Sequence, residues 1–352
     1  MNLREIGLQM MLQYRSRPGR IHRRLRRRGF RHKARTPQVG VVRAAAVQLE
    51  FHLCETADEY VDLIYERVRR AVAEGAELIA FPEDTASLIV GIIPGIGPLL
   101  RTLTVEEALK QVGDGVQVAD LFRILGRATR RIYETTFRTL AIGFGVHIAA
   151  GSAMLPAADA RMLNVGYVFT PEGDILRQAK CHLLPMEVDW GLAPGEDLEV
   201  YDTSVGRIGL PVCMDATYFE TFRILRLQGA EIVLVPIADA EYPYNRWKAL
   251  RGIWPRVQES QVFGVQAALV GNVLGMRLTG NAGIYAPLAM TPNGDGILAI
   301  SSEPEGETIV VADMDIAALQ SYRQENPLDL NPALYEHYFP RVYSGFWRGG
   351  AS

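Results

Sequence analysis

The segment Gly75-Ala-Glu-Leu-Ile-Ala-Phe-Pro82 recurs, letter for letter at its key positions, as Gly229-Ala-Glu-Ile-Val-Leu-Val-Pro236. Both copies close the same kind of unit. In the first, Val41–Leu49 is an apolar run suited to a buried strand, and Ala57–Glu74 repeats its apolar residues at helical spacing through Tyr60, Leu63, Ile64, Val68 and Val72. Gly75 stops that helix, and Leu78–Phe81 forms a short strand ended by Pro82. In the second, Gly206–Cys213 is strand-like, Tyr218–Gln228 is helical, Gly229 stops it, and Ile232–Val235 leads to Pro236. One β-α-β unit used twice, so far apart, predicts two similar halves; a solenoid would need a short regular period.

The remaining punctuation fills in the halves. Ala141–Ala150, Asn164–Thr170 and Ile175–Lys180 read as strands, the last two joined by the turn Pro171-Glu-Gly-Asp174. Gly283–Pro287 and Ile297–Ser301 form a similar pair around Pro292-Asn-Gly-Asp295. Trp254–Phe263 reads as a helix before the strand Val265–Val270. Strands mixed with helices in two equivalent halves predict an α/β fold, a four-layer α-β-β-α sandwich with two sheets face to face. Thr104–Thr136 looks helical and reads as an insertion. The expected organisation is a basic arm over 1–40, a body over 41–315 with an insertion near 85–136, and a C-terminal extension over 316–352 packing at a subunit interface.

Charge separates the arm from the body. Residues 1–40 hold eleven arginines and Lys33 against the single acid Glu5, a balance of +11. The whole chain is −3, which leaves −14 for the rest. A solvated arm, or one docking on the acidic body of a neighbouring subunit, is the plain reading. Contact with nucleic acid or an anionic membrane surface, or an organelle transit peptide, are the others. No apolar h-region with a small-residue cleavage site opens the chain, so no secretory signal is expected.

Three cysteines, Cys54, Cys181 and Cys213, form no CxxC pair. That argues against a disulfide framework or a zinc site and for a reducing, cytoplasmic setting. The charge-free stretch Thr85–Leu100 is too short and too rich in Pro and Gly to span a membrane. It reads as a loop over a pocket, a hydrophobic contact surface, or a buried connection.

Three predicted strand ends deliver reactive side chains: Glu83 after Phe81-Pro82, Lys180 after Ile175–Ala179, and Cys213 after Arg207–Val212. Ligands in α/β folds collect at such ends. A cysteine between a strand and a helix N-terminus, with a lysine nearby, is expected to favour thiolate. The N–H of Met214 can donate to an oxyanion, and Glu83 can carry the thiol proton to a departing amine. Taken singly, each residue also has an ordinary structural reading: a core thiol, a loop acid, a solvated lysine.

The combination resembles the nitrilase, or carbon–nitrogen hydrolase, superfamily. Phe81-Pro-Glu83 is similar to its first motif, Lys180-Cys-His-Leu-Leu184 to its lysine motif, and Gly209-Leu-Pro-Val-Cys-Met-Asp215 to its cysteine motif. The likeness runs from about Val41 to Asp315. It implies Cys213 as nucleophile, Glu83 as general base and Lys180 as oxyanion stabiliser, with Glu187 positioning substrate and lysine. It also implies the sandwich, no metal or organic cofactor, and homodimers or larger homo-oligomers. His182, two residues from Lys180, reads as structural. True nitrilases of the family typically follow the cysteine with Trp-Glu. Met214-Asp215 here leans instead towards an amide or N-carbamoyl substrate, hydrolysed through a thioester. The Ala216-Thr-Tyr-Phe-Glu220 segment lacks the arginine many members carry there, which puts a carboxylate-bearing substrate in doubt. Acyl transfer to an amine, nitrile hydrolysis, or an idle binding scaffold with a working basic arm are the alternative readings.

Overall fold

The structure is a computed structural model that describes residues 3–32, 38–97, 117–246, 252–273 and 275–338, with positions 103 and 107 between. Residues to Ile316 make one compact unit and 317–352 a second.

Among the described residues thirteen strands follow in chain order: β1 Val41–Glu50, β2 Leu78–Ala80, β3 His147–Pro156, β4 Met162–Phe169, β5 Ile175–Ala179, β6 Val200–Thr203, β7 Gly206–Gly209, β8 Ile232–Ile237, β9 Phe263–Val273, β10 Met276–Leu278, β11 Gly283–Tyr285, β12 Ile297–Ile300 and β13 Thr308–Asp315. Among the described residues the main α-helices are α1 Leu3–Arg15, α2 Pro18–Arg28, α3 Ala57–Ala73, α4 Val118–Phe144, α5 Pro185–Asp189, α6 Phe219–Leu227, α7 Ile253–Ser260 and α8 Ile316–Glu325.

The repeat is real in three dimensions. One half orders its strands β13-β1-β2-β3-β4-β5 and the other β6-β7-β8-β9-β11-β12. In each, three parallel strands are flanked by antiparallel partners on both sides. The halves join where β1 and β9 pair in parallel over Gln48–Glu50 and Ala268–Val270. This is the expected four-layer α-β-β-α sandwich.

The repeated Gly-Ala-Glu has a physical cause. Gly75 and Gly229 end their helices at φ +81° and +95°, where a side chain would be strained. The backbone N–H of Glu77 then donates to Arg43 O, and that of Glu231 to Arg207 O. Each glutamate carboxylate also accepts the N–H of the same arginine, at 3.3 and 3.0 Å. Each glutamate carbonyl receives the N–H that opens the third strand, from His147 and Phe263. Three residues thus lock one helix end and three strands together, twice.

The amphipathic helices face the sheets. Tyr60, Ile64 and Val68 of α3 and Leu125, Ile132 and Phe137 of α4 pack in one core with Val47 and Leu49 of β1. Phe222 and Leu225 of α6 and Val257 of α7 pack with Val233 and Val235 of β8. Between the sheets Gln48 is fully buried, accepting from Ala282 N and Ser301 Oγ and donating to Gly306 O. All its polar capacity is met, as a buried amide requires.

Three expectations change. Ala141–Phe144 continues α4 and is not strand, because Gly145 at φ +69° ends the helix there and β3 starts only at His147. The stretch from Thr85 to Ile92 forms a 3-10 helix whose Leu88, Ile89, Val90 and Ile92 are buried in the core, the third reading offered for it, while Ser87 lines a cavity; positions 98–100 lie outside the described residues. The basic segment expected to be a solvated arm, or to dock on a neighbour, is instead folded onto its own chain. Leu12, Ile21 and Leu25 are buried, and Arg20, Arg24 and Arg28 bind Asp58 and Asp62 of α3. Most of the insertion read into Thr104–Thr136 before Val118 lies outside the described residues, as does the end of the C-terminal extension. No helix among the described residues is long and apolar enough to cross a membrane.

Candidate active site

Glu83, Lys180 and Cys213 meet at one cavity. Each stands just past a strand: Glu83 three residues after β2, Lys180 directly after β5, Cys213 four after β7. Lys180 is 1% exposed and Glu83 3%. The Lys180 ammonium donates to a Glu83 oxygen at 2.9 Å and to Glu187 at 2.8 Å. The other Glu83 oxygen accepts the Ala238 N–H at 3.1 Å, just beyond β8. Asn164 of β4 donates to Glu83 at 2.9 Å, and Leu184 N–H holds the second Glu187 oxygen at 2.8 Å. One cation between two carboxylates, each tied again to backbone, makes a rigid buried network.

Cys213 opens a short 3-10 turn, Cys213–Thr217, with its backbone at φ +47°. A non-glycine residue held in the left-handed region carries strain that the surroundings must enforce. Asp215 does the enforcing. Fully buried, it accepts Val212 N–H at 2.9 Å, Cys181 N–H at 3.1 Å and His182 N–H at 2.7 Å. It also contacts His182 Nδ1 at 2.8 Å. The cysteine turn is thereby bolted to the lysine strand. The His182 ring stacks on Tyr218 at 4.3 Å, the structural part expected of it. Met214 lines the cavity, and its N–H lies in the first turn of a helix, where no intrahelical acceptor exists.

The charges tune one another. Burial, and then Glu83, push the Cys213 thiol well up, and Lys180 pulls only partly against them. The thiolate expected from the lysine and the helix end is therefore not the resting form. Burial also raises the Glu83 carboxyl, Lys180 lowers it, and Glu187 raises it; the net direction is up. Burial works against the Lys180 charge, but Glu83, Cys213 and Glu187 hold its pKa well above the usual lysine range. The site rests as an ammonium beside a thiol, with a carboxyl that can both take and return a proton.

The cavity, about 220 Å³, has apolar and aromatic lining from Phe122, Met154, Met186, Trp190, Ile237 and Tyr244. Cys54 and Cys181 lie outside its lining. Burial raises both thiols, that of Cys181 to about 12 with Asp215 and Asp197 adding to it. One group among the described residues has metal-ligand spacing, His52, Cys54 and Glu59, also outside the lining. There Glu59 pairs with His52 at 2.5 Å and accepts Glu55 N–H at 2.9 Å.

The sequence puts Glu83, Lys180 and Cys213 at strand ends and Met214 just after the cysteine, and the family resemblance implies Glu187; the structure brings all five to the cavity. Sequence reasoning gave no part to Asn164, Ala238 or Asp84. An asparagine in an otherwise apolar strand was the one available signal for Asn164.

The sequence profile of the carbon-nitrogen hydrolase family matches residues 43–324. The chain belongs to that family. It is thus a carbon–nitrogen hydrolase. Among relatives, a probable hydrolase, YhcX, of Bacillus subtilis is 25% identical over 292 residues, 80% of this chain. The chain spans only about half (52%) of that protein's length. A nitrilase of Pyrococcus abyssi is 27% identical over 303 residues, covering 86% of this chain and 100% of the relative. An amidase from Nesterenkonia sp. AN1, solved in complex with acrylamide, superposes with a TM-score of 0.59 at 21% identity, covering 83% of this chain and 98% of that one. The last likeness speaks to the fold, which carries the nitrilase-type sandwich.

Proposed function

We propose that this hydrolase cleaves the C–N bond of a small amide or N-carbamoyl compound, with Cys213 as nucleophile, Glu83 as proton carrier and Lys180 as oxyanion stabiliser. The observation that carries the reading is the Lys180 ammonium fixed between Glu83 and Glu187 in the cavity that Cys213 enters. As sulfur attacks the carbonyl, Glu83 takes the thiol proton and the C=O π pair moves to oxygen. The ammonium and the Met214 N–H meet that charge where water is largely excluded. Glu83 passes the proton to nitrogen, the C–N bond breaks, and ammonia or an amine leaves a thioester on Cys213. Water then attacks, Glu83 accepts its proton, and collapse releases the acid and restores the thiol. Glu187 and Asn164 position Lys180 and Glu83. If an amine took the place of water, the same steps would be acyl transfer.

The test is an assay over amides, N-carbamoyl compounds and nitriles with wild type and Cys213→Ala, alongside alkylation mapped by mass spectrometry. The variant is expected to lose at least about 10³-fold in kcat/KM, the order seen when a catalytic group is deleted. Cys213 should label before Cys54 and Cys181. Full activity in the variant would end the proposal. Assembly into homodimers or larger homo-oligomers belongs to the same proposal, checked by light scattering.

A further inference from the structure

Next to Glu83 stands a carboxyl group that the hydrolytic steps do not use. Asp84 lines the same cavity, and its backbone sits in the left-handed region at φ +57°. Two bonds hold it there. The Asp84 N–H donates to Ser152 Oγ at 3.0 Å, and Thr85 Oγ1 donates to Pro82 O at 2.6 Å. The carboxyl oxygen Oδ1 is buried without a hydrogen-bond partner. Leaving a buried acceptor unmet costs on the order of 1–3 kcal/mol, so a cavity-lining aspartate in this state gains from a donor brought by a ligand.

The surrounding charge says what kind of donor. Among the described residues lining the cavity, Glu83, Asp84, Glu187 and Asp239 are acids and Lys180 is the one base. Its ammonium is already shared between Glu83 and Glu187. Arg246, which acts on Tyr244, is exposed and outside the lining. A carboxylate brought in by substrate would meet Asp84, Glu83 and Glu187 with the Lys180 ammonium already engaged, whereas an ammonium would supply the donor that Asp84 lacks.

We propose that Asp84 is the specificity-determining residue of this site, and that it selects amides carrying an amino group a few bonds from the scissile carbonyl. The inference rests on the amidase reading above for the position of that carbonyl. Burial, with Glu83 and Glu187 close by, raises the Asp84 carboxyl well above the ordinary range, so the aspartate gains its charge as the ammonium arrives. The apolar walls formed by Phe122, Met154 and Trp190 suit the methylenes between amine and amide.

The test uses three amide series of two to five methylenes, ending in ammonium, in the isosteric methyl, or in carboxylate. For wild type, kcat/KM is expected to favour ammonium over methyl by about tenfold or more, the worth of one charge-assisted hydrogen bond. Carboxylate amides should be the poorest. Asp84→Asn keeps the left-handed backbone, which asparagine tolerates, and is expected to bring the ammonium-to-methyl ratio below about threefold. A preference for carboxylate amides, or an unchanged ratio in Asp84→Asn, overturns the proposal. Binding of the same compounds to the Cys213→Ala protein by calorimetry separates the two claims. If wild type turns over no amide, the amidase reading fails, while the order of binding still decides the role of Asp84.

Discussion

Cys213, Glu83 and Lys180 do different physical work although they share one cavity. The cysteine is presented by strain, its φ of +47° held by Asp215. The glutamate is tuned by neighbours, and that makes a pH prediction. The proposed chemistry needs Glu83 deprotonated before attack, and its carboxyl is raised, so activity is lost as pH falls through a value above the ordinary carboxylate range. The acid limb of kcat/KM should therefore lie higher than a solvent-exposed glutamate would place it. Glu187 is one cause of the rise. Glu187→Gln removes that negative charge and leaves Lys180 more fully to Glu83, and both effects lower the Glu83 pKa. The acid limb should move to lower pH, while the rate falls as Lys180 loses a positioning contact. A pH–rate profile that keeps its acid limb in the variant would show that Glu83 does not set it. The three reactive residues were legible at strand ends from the repeat and the Pro and Gly punctuation, since such ends carry side chains into α/β clefts, while their roles came from the motifs that resemble the family. Asn164 and Asp84 were not legible, since what they do depends on groups from distant strands. The resting charge of the thiol was misjudged for a similar reason: the lysine is visible in the sequence, but the desolvation that outweighs it is not.

At the scale of elements, the site depends on how β2 and β3 run side by side. Just past that parallel pairing, the antiparallel register of β3 on β4 is interrupted between Ala149 and Ser152, a bulge that takes in Gly151. Gly151 lies at φ +78°, and a Cβ built there would fall 1.7 Å from Pro82 O, a backbone atom beside Glu83. The bulge lets Ser152 reach the Asp84 N–H at 3.0 Å. Gly151→Ala is expected to cost about 2–4 kcal/mol from strain and overpacking together, and to lower kcat by pushing Pro82 and Glu83 out of place. Gly229→Ala is the control. It too is strained, at φ +95°, but its close contact is the movable end of Arg207, so stability should fall by about 1 kcal/mol with kcat kept. Thermal melts and kcat on both variants check the pair, and equal kcat losses would refute the placement argument. The same geometry shows where pattern reading stops. Gly75 and Gly229 end helices followed by strands, and both were legible from the repeat. Ala141-Ile-Gly-Phe144 is an apolar run with no decisive period, so its helical state is settled by packing of α4 on β3, which local sequence does not display.

For the whole molecule, the question is what the basic N-terminal helices contribute. Composition alone made them an appendage. In the folded chain α2 is amphipathic, with Ile21 and Leu25 buried and Arg20, Arg24 and Arg28 turned to Asp58 and Asp62. The two kinds of contact should differ in size. Exposed or half-exposed ion pairs contribute about 0–1 kcal/mol each and are screened by salt. A fully buried leucine truncated to alanine costs about 2–5 kcal/mol. Leu25→Ala should therefore lower the thermal midpoint clearly and independently of salt. Arg24→Ala should lower it slightly at low ionic strength, and by less at 1 M salt, where charges are screened over about 3 Å. The cooperative unit matters as well: Leu12 and Leu25 belong to the same core as Phe137 of α4 and Val47 of β1, so a docked α2 melts with the body in one transition. A Leu25→Ala protein with an unchanged midpoint would mean that the helices are not docked in solution. The arginines that do not face α3, Arg23, Arg26 and Arg27, remain exposed on the outer side of α2, so the docked helix still presents a basic surface. The docking and the surface are thus separable: one is set by leucine and isoleucine, the other by arginines whose removal should leave the melting midpoint within about 0.5 kcal/mol of wild type.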